Sequence, residues 1–176
     1  MRARGGQAVV RALEDQGVEV IFGIPGVHTL EIYDALIDSP IRHILARHEQ
    51  GAGYMADGYA RASGRVGVCF AQSVGAANLA AGLQDAYLHR APILAMTGRK
   101  AAQARNAYQE IAHAPLFAPV TVFSERVDSP EDLPRLLRQA FRAATGPTPR
   151  PVHLDLLGLQ AEGIEGAEIA ADASVE

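Results

Sequence analysis

Two hydrophobic rhythms alternate along this chain: apolar residues at helical spacing, and short unbroken apolar runs. Ala8, Val9, Ala12 and Leu13 predict a helix over residues 5–16, stopped by Gly17. The β-branched and aromatic run 18–22 predicts a strand, and Gly23-Ile24-Pro25-Gly26 a turn. Helical spacing returns at Leu30, Ile32, Tyr33, Leu36 and Ile37 and ends at Asp38-Ser39-Pro40. Residues 41–46 read as a buried strand, and the stretch that follows, from Arg47-His48-Glu49 on to Arg61, as a helix entered through charged residues. A third strand is expected over 66–71. Gln72-Ser73-Val74-Gly75 reads as a loop and 76–88 as a helix. A fourth strand over 92–96 closes in Thr97-Gly98, and the weakly patterned stretch 99–115 reads as a loop with one helical turn. A fifth strand is expected over 120–124. Ser129-Pro130-Glu131-Asp132 then has the makings of a helix start: a capping serine, a proline and acids in the first turn. Leu133, Leu136, Leu137, Ala140 and Phe141 form that helix's apolar stripe, and a sixth strand follows over 151–157.

Strands alternating with helices predict an α/β domain, a six-stranded parallel sheet covered by helices on both faces. At 176 residues the chain can bury one full core. Its 48% hydrophobic and 20% charged residues are those of a globular domain. The net charge of −4 leaves no footprint for nucleic acid. No apolar run reaches the roughly 18 residues of a membrane span, and nothing near the N-terminus has the form of a leader, so a cytoplasmic place is expected. The single cysteine, Cys69, reads as a small buried hydrophobe. The segment 161–176 holds five acids and no base. It is set apart as an acidic tail, or a linker, from a domain over 1–160.

The chemistry gathers where strands end. Three loops follow strands on what should be one edge of the sheet: Gly23 to Gly26, Arg47-His48-Glu49, and Gln72 to Gly75. Ligands bind at the carboxyl edge of such sheets. A fourth group, Asn106 to Glu110, follows the fourth strand. None matches a phosphate-binding fingerprint. Glu49 has two readings: an acid favoured by the helix dipole, or a carboxylate turned toward a cofactor. Gly51, Gly53 and Gly58 each weaken a helix by about 0.5–1 kcal/mol relative to alanine. Close packing against another backbone, or a ring lying near the helix, would offset that. The small residues of 76–88 suggest a tight helix–helix contact, between subunits or simply on the sheet. The six histidines show no metal-ligand spacing, and no serine sits in a nucleophile elbow.

Taken together, Phe22-Gly23-Ile24-Pro25-Gly26, Arg47-His48-Glu49-Gln50-Gly51-Ala52-Gly53, Asp57-Gly58-Tyr59-Ala60-Arg61, Gly75-Ala76-Ala77-Asn78-Leu79 and Tyr108-Gln109-Glu110 resemble one family in order and spacing. It is the acetolactate synthase-like family of thiamine-diphosphate enzymes, in its N-terminal pyrimidine-binding domain. The likeness covers residues 5–160 and implies the three-layer αβα thiamine-diphosphate-binding fold. It implies that Glu49 hydrogen-bonds the aminopyrimidine ring and so promotes loss of the thiazolium C2 proton, the step that readies the cofactor for a 2-keto acid. It also implies that Pro25 and Gly26 lie against the ring, that Gly75 and Asn78 belong to the cofactor site, and that Gln109 and Val74 face substrate.

The likeness has gaps. The family's usual Ser-Gly-Pro-Gly is here Gln72-Ser73-Val74-Gly75, and Val122 replaces a common basic residue. Both point away from the biosynthetic acetolactate reaction, and residues 23–28 also look like relatives that decarboxylate other 2-keto acids. The family binds the diphosphate and Mg2+ in a separate domain carrying a Gly-Asp-Gly motif, and some members hold FAD in a middle domain. Neither is present in this sequence. The expectation is therefore a component that works with a diphosphate-binding domain or subunit, as a homodimer or larger assembly. The other reading is a non-catalytic cofactor-binding or assembly module.

Overall fold

The computed structural model describes residues 3–99, 111–157 and 163–164. Its elements run β1 (Ala3–Arg4), α1 (Gly5–Asp15), β2 (Val20–Gly23), α2 (Leu30–Leu36), β3 (Arg42–Leu45), α3 (Glu49–Ser63) and β4 (Gly67–Gln72). Then follow α4 (Gly75–His89), β5 (Ile93–Arg99), α5 (His113–Phe117), β6 (Ser124–Val127), α6 (Leu133–Ala144), β7 (Val152–Leu157) and β8 (Gly163–Ile164). Six strands form one sheet in the order β3-β2-β4-β5-β7-β6, every pairing parallel. The expected three-layer architecture is present.

The layers follow from alternation. In the central strands both faces are apolar, as burial on both sides requires. Ile21, Val68, Phe70, Leu94, Met96 and Leu154 point to one face, where they meet Val9 and Leu13 of α1, Ile32 and Leu36 of α2, and Leu133 and Leu137 of α6. Phe22, Cys69, Ala71, Ile93 and Ala95 point to the other, against Ala52 and Ala56 of α3 and Leu79 and Leu83 of α4. Helix α1 ends as its sequence suggests. Gly17 takes φ +71°, and Val18 N–H donates to Leu13 O at 3.1 Å, closing the helix end with a left-handed glycine.

The small residues of α3 and α4 serve contact between these two helices of one chain. A Cβ on Gly53 would lie 3.2 Å from the Gly82 backbone, and one on Gly82 would lie 2.6 Å from Gln50 O. The helices approach more closely there than alanine permits. Gly51 and Gly58 face open space.

Two expectations are corrected. The run 41–46 is not a buried strand. β3 is the edge of the sheet, its residues exposed or half-buried, with Leu45 66% exposed. Only the flanking Ile41 and Ala46 are buried. An edge strand pairs on one side, so apolar content alone does not report its burial. The fifth strand is also displaced. Residues 118–120 form a 3₁₀ turn, and β6 spans Ser124–Val127. β6 is the other edge, with only Val127 fully buried. Its weak apolar signal let the preceding Val120, Val122 and Phe123 pass for the strand.

β1 and β8 pair antiparallel, Ala3 with Ile164 and Arg4 with Gly163, across the expected boundary at residue 160. No described helix is long and apolar enough to cross a membrane.

Candidate active site at the carboxyl edge of the sheet

Strand β2 lies between β3 and β4. The chain leaves β2 toward α2 on one face and leaves β4 toward α4 on the other. This is the switch point at which a parallel sheet opens a crevice beyond its strand ends. Glu49 enters the same edge from β3. The chain leaves β3 with Ala46 N–H still bonded to Gly23 O at 3.0 Å. His48 then takes an extended conformation and caps α3, its Nδ1 accepting from Gln50 N–H at 3.3 Å. Glu49 follows as the first residue of α3. There the free N–H groups of the helix favour a negative charge.

The half-buried Glu49 side chain is held by two residues of α4. Asn78 Nδ2 donates to Glu49 Oε2 at 3.0 Å. Gly75 lies beside the other oxygen: a Cβ at residue 75 would sit 2.5 Å from Oε1. Any side chain at 75 would push the carboxylate away. The sequence assigned these three residues to one site separately, and the fold brings them into contact through Glu49.

Pro25 and Gly26 stand on the loop after β2. Thr29, almost fully buried, ties that loop: its Oγ1 accepts from Gly26 N–H at 3.2 Å and donates to Gly26 O at 3.0 Å. The space in front of Gly26 is taken by the Gln72 side chain, which a Cβ on Gly26 would strike. Gln72 Oε1 also accepts from His28 N–H at 3.3 Å. Gln72 thus bridges the switch point. Pro25 and Val74 are exposed on the same edge. Gln109 lies outside the described residues, as do its neighbours Asn106, Tyr108 and Glu110.

The sequence reading missed a buried polar cluster beneath this edge. Thr97 of β5 stands opposite Asp155 of β7. Thr97 Oγ1 lies 2.8 Å from His153 Nε2 and 2.8 Å from His113 Nδ1. His113 Nδ1 is also 2.9 Å from Asp155 Oδ1. Arg99 Nε lies 2.9 Å from Asp155 Oδ2, an ion pair without the alignment of a hydrogen bond. His153 Nδ1 meets Ser124 Oγ at 2.9 Å, and its ring stacks on Phe117 at 3.9 Å. Burial pushes the His153 pKa down to about 3, against a smaller upward pull from Asp155. One signal was available. His153 and Asp155 alternate on one face of an otherwise apolar strand, and buried polar groups need partners. Nothing local singled out His113.

His113 connects this cluster to the edge. Its Nε2 donates to the carbonyl of Ser73 at 3.0 Å. Cys69 is fully buried, and burial raises its pKa to about 12, which keeps it a thiol.

Comparison with known proteins gives a consistent result. The family described as "Thiamine pyrophosphate enzyme, N-terminal TPP binding domain" matches residues 3–116. A probable acetolactate synthase large subunit of Methanocaldococcus jannaschii is 46% identical over 156 residues, 87% of this chain and 26% of that protein. A probable 2-ketoarginine decarboxylase of Pseudomonas aeruginosa is 45% identical over 157 residues, 86% of this chain and 28% of that protein. The acetolactate synthase isozyme 2 large subunit of Escherichia coli is 46% identical over 155 residues, with the same shares, 86% and 28%. The chain spans about a quarter of the length of these relatives.

Proposed function

Because the chain belongs to the thiamine pyrophosphate enzymes, matching their N-terminal TPP-binding domain, we propose that its carboxyl edge takes the pyrimidine end of thiamine diphosphate, with Glu49 as the group that faces the ring. One observation carries this reading. Glu49 opens α3 at the switch point, with Oε2 tied to Asn78 at 3.0 Å and Oε1 beside a residue that has no Cβ.

The donor set fits. An aminopyrimidine offers a ring nitrogen that can share a proton, and a carboxylate is the partner that can hold it there. Asn78 fixes one oxygen and so aims the other. Gly75 leaves the room Glu49 needs. The amino end of α3 stabilises the anion. Gly26, Gln72 and the Thr29-tied loop shape the neighbouring wall, with Pro25 beside them. Val74, exposed on the same edge, and Gln109 are proposed to face substrate. When bound, the cofactor supplies a nucleophilic carbon and an electron sink. The protein's part is position, charge and a held proton.

In this reading the complete enzyme acts on a 2-keto acid, as a carboligase or a decarboxylase, and works in the cytoplasm. The names of the relatives, acetolactate synthases and a 2-ketoarginine decarboxylase, support both reactions. The domain ends near residue 160, apart from the short β8, which pairs back onto β1. The diphosphate and Mg2+ are held by a separate domain or subunit, and a middle domain is where FAD would sit. Assembly is as a homodimer or larger. Gly51 and Gly58, whose positions on α3 open to free space beside the exposed Tyr54, support a surface there that another chain can approach.

The decisive experiment is Glu49→Gln in the complete enzyme. Glutamine keeps the shape and loses the proton-holding carboxylate. Turnover should fall at least about 10²-fold, the scale of losing a positioned acid–base group, with an unchanged circular dichroism spectrum. Near-normal turnover would overturn the reading.

A further inference from the structure

Ser73 lies in the left-handed region, at φ 43°. A serine there carries steric strain that glycine escapes. Such a conformation persists where its surroundings over-determine it. Three hydrogen bonds do so. Ser73 N–H donates to Gly98 O at 2.9 Å, Ser73 O accepts from His113 Nε2 at 3.0 Å, and the same oxygen accepts from Ala76 N–H at 3.1 Å in the first turn of α4. The first partner is the backbone of a central strand. The second is a fully buried ring whose other nitrogen is pinned between Asp155 Oδ1 and Thr97 Oγ1. Two residues beyond Ser73, Gly75 lies against Glu49 Oε1. A continuous set of contacts therefore runs from Asp155 in the core, through His113 and Ser73, to the carboxylate at the edge.

We propose that His113 is a positioning residue for the candidate active site: by holding the Ser73 carbonyl it keeps Ser73 in its strained conformation and so keeps Gly75, two residues on, in the place against which Glu49 rests. This rests on the reading of Glu49 as the cofactor-facing carboxylate. The ring has a second task, satisfying Asp155, and the two tasks fall on different nitrogens. That makes them separable. In His113→Asn the side-chain amide falls near the place of Nδ1, where it still meets Asp155 but stops short of Ser73. In His113→Gln the amide reaches toward the place of Nε2 and can donate to the Ser73 carbonyl.

The test uses the complete enzyme with thiamine diphosphate. His113→Asn should raise the KM for the cofactor about tenfold, with a smaller change in kcat at saturating cofactor, since one strained residue loses its support. His113→Gln should stay within about threefold of the parent enzyme. Adding Ser73→Gly to His113→Asn should bring the KM most of the way back, because glycine holds φ 43° unaided. Equal KM values for the Asn and Gln variants, or a worse Gln variant, would overturn the proposal and leave the ring as a partner for Asp155 alone. If His113→Asn does not fold, the double variant decides: a folded, active product supports the proposal, and its failure to fold overturns it. Glu49→Gln is measured alongside. An inactive Glu49→Gln without the Asn/Gln split removes only the role of His113, whereas normal turnover in Glu49→Gln removes the cofactor reading itself.

Discussion

The imidazole of His153 is fully buried between Phe117, Thr97 and Ser124. Its pKa is pushed from 6.5 down to about 3, chiefly by burial. The folded state therefore resists taking a proton that the unfolded chain accepts readily. Stability from this group is whole above pH 6.5 and declines as pH falls toward 3, because the unfolded state binds more protons throughout that window. The full effect is on the order of 3–5 kcal/mol across those three to four pH units. Urea denaturation at pH 7 and pH 4 should show this loss, and His153→Gln should flatten it. An equal slope in parent and variant would show that other groups carry the acid sensitivity. Glu49 is the contrasting case at this scale. Its place was legible because the residues around it form a long and specific motif. What the motif did not contain is that Asn78 and Gly75 act on the glutamate side chain itself.

At the scale of elements, α3 and α4 set the geometry of the site, since one carries Glu49 and the other carries its partners. Their separation depends on Gly53 and Gly82. A methyl at 82 would meet the Gln50 carbonyl at 2.6 Å, and backbone does not swing aside as a flexible side chain would. Overpacking of this kind costs about 1–3 kcal/mol, partly offset by the better helix propensity of alanine. Gly82→Ala should lower Tm by several degrees, at about 2–4 °C per kcal/mol for a domain of this size. Gly58→Ala, with nothing within 4 Å of the added carbon, should raise Tm slightly. Equal shifts in a thermal melt would mean that the two helices can move apart freely. The edge strands show where local pattern is weakest. β3 and β6 pair on one side only, so their residues are not held to the two-faced alternation that marks β4, β5 and β7.

At the scale of the molecule, the proposed function gives the carboxyl edge, with its carboxylate and supports, only one end of a long, charged cofactor. If the diphosphate and Mg2+ are held elsewhere, this chain by itself should bind thiamine diphosphate weakly and without dependence on Mg2+. Isothermal titration with and without the metal checks this. Tight, Mg2+-dependent binding by the chain alone would overturn the proposed division of labour. The relatives are several times longer than this chain.

The sequence by itself determined the class of fold, most element positions and the location of Glu49, because these depend on hydrophobic period, turn residues and one contiguous motif. Its small residues suggested a close contact for these helices, but left open whether that contact lay between subunits or within the chain; the fold decided that α3 and α4 meet each other. Tertiary structure decided what no local pattern contains. It placed residues 42–45 at an edge rather than within the sheet. It filled the space before Gly26 with Gln72, and it joined Thr97, His113, His153 and Asp155 into one buried cluster. The contacting pairs of that cluster are separated by 16 to 58 positions in the chain. Buried polar groups find partners through the pairing of strands and the packing of helices, and only the completed fold says which partners those are.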